Sequence, residues 1–92
     1  MRSTFKIFKY SLIPIESQIL SIPSNTILSV QEQAGQLVVY ALVNTEAPKI
    51  TYEFAVAGTG HEIPFNLKQF TFLGTVKLHN GVLMLHVFYK KI

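Results

Sequence analysis

The sequence specifies an all-β domain, a small sandwich or partly open barrel of about seven short antiparallel strands. Three observations carry this reading. Residues 50–57 alternate, with Ile50, Tyr52, Phe54 and Val56 on one side and Thr51, Glu53 and Ala55 on the other, the pattern of a half-buried strand. Two strand-like runs, 70–78 and 82–90, meet at Asn80-Gly81, a strong signal for a type I′ hairpin turn. Two more, 27–33 and 36–43, meet at Ala34-Gly35 and read as a second hairpin.

The elements follow in order. Residues 4–10 form a first strand, and Pro14 ends whatever follows it. Residues 17–22 form a second, stopped by Pro23-Ser24-Asn25, a cluster of turn formers. The 27–43 hairpin comes next, then a polar loop over 44–48 and the alternating strand at 50–57. Residues 64–68 have room for one helical or 3₁₀ turn before the last hairpin. With Asn80 and Gly81 as its loop, His79 opposes Val82 and the pairs follow by steps. One face then carries Leu78, Val76, Gly74 and Phe72 against Leu83, Leu85, Val87 and Tyr89, and reads as core. The other carries His79, Lys77, Thr75 and Leu73 against Val82, Met84, His86 and Phe88. That mixture suits an interface with another copy or a ligand, or an amphipathic surface with some apolar side chains showing.

Composition bounds the function. Ninety-two residues make one domain, residues 1–92, able to bury roughly 60% of its unfolded surface. Only 14% of residues are charged and 49% are hydrophobic, where about a quarter charged is usual; association into a homo-oligomer relieves the imbalance. No cysteine is present, so neither disulfides nor thiolate metal sites form. No apolar run reaches the ~20 residues that span a bilayer, and the N-terminus does not read as a signal peptide; a cytoplasmic location without membrane contact is expected. Net charge is +3, yet Arg2 is the only arginine. Base-edge reading leans on arginine forks, so sequence-specific DNA recognition is not expected. The chain contains no Asp, which removes Ser-His-Asp triads and most Mg²⁺ phosphoryl chemistry. Neither catalysis nor a cofactor is expected.

The chemistry-bearing residues concentrate at Gly58-Thr59-Gly60-His61. Glycines permit close backbone approach, so successive N–H groups can form an anion-binding nest, beside the Thr59 hydroxyl and the His61 imidazole. The same residues also serve as a plain strand-end turn, closed by Pro64. No Gly-Lys-Ser/Thr follows, so this is not a phosphate loop of the Walker type. His79 and His86 share a face but stand about 13 Å apart along the strands, too far to hold one ion within a monomer, which leaves only a site built across subunits. His61 and Glu62 are neighbours whose side chains point apart in extended chain. Gln31, Gln33 and Gln36 gather at the Ala34-Gly35 turn with Tyr40 on the same face; they read as a soluble hairpin tip, or as amides and a ring that meet a partner. Lys6, Lys9, Lys90 and Lys91 flank the terminal strands and read as guards on sheet edges, or as a weak field for an anionic partner; the first account suffices.

These residues also carry a likeness. Phe8-Lys9-Tyr10, Ile27-Leu28-Ser29-Val30-Gln31-Glu32-Gln33 with Gly35-Gln36-Leu37, Ala41-Leu42-Val43, Gly58-Thr59-Gly60-His61, Gly74-Thr75-Val76 and His86-Val87-Phe88 together resemble a family of short uncharacterised proteins of tailed bacteriophages and prophages. That family often has Trp where Val39 or Tyr40 sits and another where this chain has Leu85, so no aromatic clamp follows. The resemblance implies a phage accessory protein acting in the host cytoplasm. Two modes fit: sequestering a small anionic, nucleotide-like signal as an oligomeric counter-defence sponge, or binding a host protein or the virion. For the first, the candidate ligand residues are Gly58, Thr59, Gly60 and His61, with Thr75, Lys77, Tyr40 and His86.

Overall fold

Among the described residues, seven strands form two antiparallel sheets. The computed structural model describes residues 4–78 and 81–92. The strands are β1 (Phe5–Leu12), β2 (Ser17–Ile22), β3 (Thr26–Gln33), β4 (Gln36–Asn44), β5 (Ile50–Gly58), β6 (Thr71–Leu78) and β7 (Leu83–Lys91), with one 3₁₀ turn, Leu67–Gln69. One sheet has the order β1-β4-β3 and the other β2-β5-β7-β6. The fold is therefore an all-β sandwich that does not close into a barrel. No helix among the described residues is long and apolar enough to cross a membrane.

The core is the alternating residues of the inner faces. Leu37, Val39, Ala41 and Val43 of β4 meet Tyr52, Phe54 and Val56 of β5 and Leu85 and Val87 of β7. Tyr52, Phe54 and Tyr89 form an aromatic triangle with centroids 6.0–6.2 Å apart. Tyr52 is fully buried, and its hydroxyl donates to the Ser24 carbonyl at 2.6 Å, which satisfies the one polar group the ring brings inside. Burial, and then the neighbouring Tyr89, push its ionisation above the ordinary tyrosine range. Ser24 is buried too; its hydroxyl accepts from the Thr26 N–H and reaches the Leu42 carbonyl, tying the β2–β3 link to β4.

β5 is covered more completely than its alternation suggests. Ala55 and Ala57, on the outward face, are also buried. In the ladder Ala55 lies opposite Phe88 and Ala57 opposite His86, so small methyls sit beneath large cross-strand neighbours.

The last hairpin keeps the expected register from Leu78↔Leu83 through Gly74↔Val87, then shifts at a bulge, so that Phe72 pairs with Phe88 and Thr71 with Tyr89. Asn80 of the expected Asn80-Gly81 turn, and His79 beside it, lie outside the described residues. The bulge corrects the expected faces. A one-residue slip moves every later side chain to the opposite side, so Leu73 packs on the core and Phe72 turns outward, 56% exposed. Gly74 marks where the two sheets come together on one side: a Cβ there would lie 3.0 Å from Val30 Cγ1 of β3. The other side of the sandwich carries the free edges of β1 and β2. The 27–43 hairpin closes as expected, with positive φ at both Ala34 (52°) and Gly35 (80°), the requirement of a type I′ turn.

Candidate functional site

β5 runs into the Gly58-Thr59-Gly60-His61 turn at one end of the sandwich. The His61 N–H donates to the Gly58 carbonyl at 3.1 Å, and Gly60 has φ +85°, the geometry that makes a type II turn select glycine at its third position. The Thr59 N–H donates to the Met84 carbonyl at 3.2 Å, carrying the β5–β7 ladder one step further. The expected anion nest is corrected here. A nest needs successive unbonded N–H groups, and those of Thr59 and His61 are already bonded within the chain.

What the turn does deliver is the Thr59 side chain. Thr59 Oγ1 lies 2.6 Å from His86 Nε2, and Thr75 Oγ1 lies 2.9 Å from His86 Nδ1. The β6–β7 register explains the second contact, because it places Thr75 directly opposite His86. A neutral imidazole donates through one nitrogen and accepts through the other, and each hydroxyl can do either. The ring is thus satisfied in both tautomers and pins the turn to the sheet. No carboxylate bonds to either nitrogen among the described residues, so the hydroxyl–imidazole pair lacks the charged orienter of a nucleophile–base system. His61 folds back over the turn: a Cβ on Gly58 would meet His61 Nδ1 at 2.8 Å.

Beside this cluster is a cleft of about 500 Å³. Thr59 and His61 form one wall, Val82, Leu83, Met84 and Leu85 another, and Pro14, Ile15 and Glu16 of the β1–β2 link the third, with Val56 and Gly58 at the β5 end. The link is held there by the bond from the Val56 N–H to the Glu16 carbonyl, 3.2 Å. Among the described residues the lining is mainly apolar, with one carboxylate and one imidazole and no Lys or Arg. Sequence reasoning missed Ile15 and Glu16. They lie some forty residues before the turn they face, and nothing local marks them beyond their position after Pro14.

Of the expected ligand residues, Gly58, Thr59, Gly60, His61, Thr75 and His86 come together. Lys77 stands one outward position along from Thr75, opposite Met84. Both Lys77 and Thr75 also border a groove of about 320 Å³ between β6 and the β3 residues Val30, Gln31 and Glu32. Tyr40 does not join them. It belongs to β4, on the outward face of the other sheet, where its hydroxyl donates to Gln33 Oε1 at 3.3 Å and Lys9 Nζ donates to the same oxygen at 3.0 Å. Among the described residues no three His, Asp or Glu side chains gather as metal ligands, and His79 lies outside them.

Two further expectations change. Lys90 and Lys91 do not guard an edge, because β7 is an interior strand. Lys90 lies 3.7 Å from Glu53, donates to Gln69 Oε1 and sits 5.0 Å over the Phe70 ring, a cation–π contact. The outward face of the last hairpin is also partly covered by the chain itself. Phe65 packs on Phe70 and Phe88, at 4.7 and 5.5 Å, and Phe72 on Phe88 at 5.3 Å.

A family model described as a domain of unknown function (DUF7352) matches residues 3–92. The chain belongs to the DUF7352 family. The match includes every residue of the turn, of the cleft and of the His86 cluster, so the site lies wholly inside the DUF7352 domain. No curated protein and no solved structure matches the chain.

Proposed function

We propose that this DUF7352 domain is a non-catalytic binding protein for a small, anionic, nucleotide-like ligand, seated at the Gly58–His61 end of the sandwich. The carrying observation is the cleft itself, about 500 Å³, mainly apolar, with Thr59, His61 and Glu16 as its polar residues among those described. Sites for small ligands have this size and this balance of apolar wall to a few convergent polar groups. On this reading a flat ring lies in the cleft between the Pro14–Ile15 link and the Val82–Leu85 strand end, both of which line it. The Glu16 carboxylate accepts from an exocyclic amine or a sugar hydroxyl, and the same carboxylate disfavours a phosphate inside. The ligand therefore enters nucleoside-first, leaving its anionic part at the mouth, near His61 and towards the Lys77 side.

The resemblance to short phage proteins supports a physiological role of the same kind, sequestration of a nucleotide signal in the host cytoplasm as a counter-defence measure. Sequestration asks only for affinity, in keeping with a His86 held between two hydroxyls. A second reading, a protein-interaction module that inhibits a host protein or serves the virion, is favoured by one observation: large apolar side chains stand exposed on β1, the β1–β2 link and β2.

Thermal melting against linear and cyclic nucleotides tests the first reading. A ligand at a hundred times its Kd stabilises the native state by ~2.7 kcal/mol. Ile15→Glu, which adds a second carboxylate to the cleft wall, is expected to abolish the shift while leaving the unliganded melting curve close to wild type. If no compound raises the melting temperature, the ligand reading fails and the protein-partner reading takes its place.

A further inference from the structure

We infer that β1 is a homodimerisation edge, on which a second copy of this chain adds its own β1 antiparallel, joining two three-stranded sheets into one of six strands. The sandwich is asymmetric. On its β3–β6 side the sheets close together at Gly74 and Val30. On the other side run the outer edges of β1 and β2, and there Phe5, Ile7 and Phe8 of β1, Ile13 and Ile15 of the link and Ile19 of β2 are all exposed. An eight-residue edge strand with Phe5 and Ile7 each 61% exposed is a template for strand addition unless it is guarded.

The occupant follows from the backbone and the charges. The Thr45 N–H donates to the Thr4 carbonyl, and the register pairs Phe5 with Asn44 and Ile7 with Leu42. By the alternation of an antiparallel ladder, even-numbered residues turn their peptide groups to β4, and Phe5, Ile7, Lys9 and Ser11 turn theirs to the free edge. An antiparallel strand edge is complementary to its own copy about a two-fold axis, so a second β1 satisfies these groups without any further specificity. Only pairings between two edge-facing residues form the ladder, and the lysines choose among them. Centring the pair on Lys6 or Lys9 sets each lysine against itself. Centring it on Phe8 leaves Lys9 against Ile7, whereas centring it on Ile7 sets Lys6 against the second copy's Phe8, a cation beside a ring, and Phe5 against its Lys9, whose methylene stem covers the ring. Lys9 does not block the approach, because its ammonium is drawn back across the sheet face to Gln33 Oε1 at 3.0 Å. The low charged fraction, 14%, is what a chain that hides this side in a dimer requires.

The dimer does not depend on the cleft being a ligand site. The chain contains no cysteine, so a single introduced thiol reports directly on the two-fold axis. Light scattering on the purified protein is expected to give twice the 10.4 kDa chain mass. In the Ile7-centred ladder the two copies of residue 7 stand about 5.5 Å apart, within disulfide range. Mild oxidation of Ile7→Cys is therefore expected to give a disulfide-linked dimer. Phe5→Cys, whose two copies stand roughly 14 Å apart, is expected to stay reduced. Ile7→Pro deletes an N–H that β4 does not use, and is expected to give a folded monomer. A monomeric wild type overturns the inference, and so does a dimer whose Ile7→Cys variant fails to crosslink.

Discussion

Gly58 and Gly60 stand two residues apart in one turn, yet a methyl group should do opposite things at the two positions. Gly58 lies outside the left-handed region and has room for a Cβ everywhere except toward His61, whose Nδ1 would be 2.8 Å away. Ordinary contact begins near 3.4 Å, so Gly58→Ala must drive the imidazole back by about 0.6 Å or into another rotamer. His61 is exposed, so that movement is cheap. Restricting the unfolded chain by a Gly→Ala change stabilises by about 0.4–1 kcal/mol, leaving Gly58→Ala equal to wild type or slightly more stable. Gly60 is the reverse: a Cβ there meets nothing within 4 Å, but φ is +85°, and an L-residue in that region costs roughly 1–2 kcal/mol. For a domain of this length each kcal/mol moves Tm by about 4–8 °C. Differential scanning calorimetry gives the stabilities, and the His61 ring resonances in a proton–carbon NMR spectrum give the displacement. The expected pattern is a moved His61 with unchanged Tm for Gly58→Ala, and a lowered Tm for Gly60→Ala. A Tm loss at position 58 larger than that at position 60, or unshifted His61 resonances in Gly58→Ala, would refute the turn geometry.

Three further outcomes are expected. Ala34 holds φ 52° in the β3–β4 turn, so Ala34→Gly, or Ala34→Asn to complete an Asn-Gly pair, should stabilise by about 0.5–1 kcal/mol in urea unfolding. Tyr52→Phe removes the buried hydroxyl bonded to the Ser24 carbonyl and should cost about 1–3 kcal/mol. Because burial raises the Tyr52 ionisation in the native state, its contribution is complete below the unfolded tyrosine value near 10 and is lost as pH rises through the higher native value; the alkaline fall in stability should be shallower in Tyr52→Phe. Thr75→Val deprives His86 Nδ1 of its partner and should loosen the turn pinned through Thr59, read as faster amide exchange at Thr59.

Much of the fold could be read from the chain because period-2 patterning and turn chemistry act locally. Ala34-Gly35 set one hairpin, and counting back from Asn80-Gly81 placed Thr75 opposite His86. The count failed at Leu73, where a bulge adds a residue that leaves no mark in a run of Phe, Leu and Gly. The lysines were misjudged for a different reason. Lys90 is terminal in sequence but interior in the sheet, and strand order is a long-range property that local pattern does not encode. The candidate site was legible where one strand or turn carried it, at residues 58–61 and at the 75–86 pair. It was not legible where distant segments meet, at Ile15 and Glu16, or where facing sheets separate residues of similar chemistry, as with Tyr40.

The most direct test of the ligand site is a nucleotide titration followed by amide and methyl NMR. The expected result is saturable shifts at Ile15, Glu16, Thr59, His61 and Met84, with Tyr40 and Gln33 unmoved on the opposite sheet. Shifts confined to the Tyr40 face, or none with any nucleotide, would contradict it.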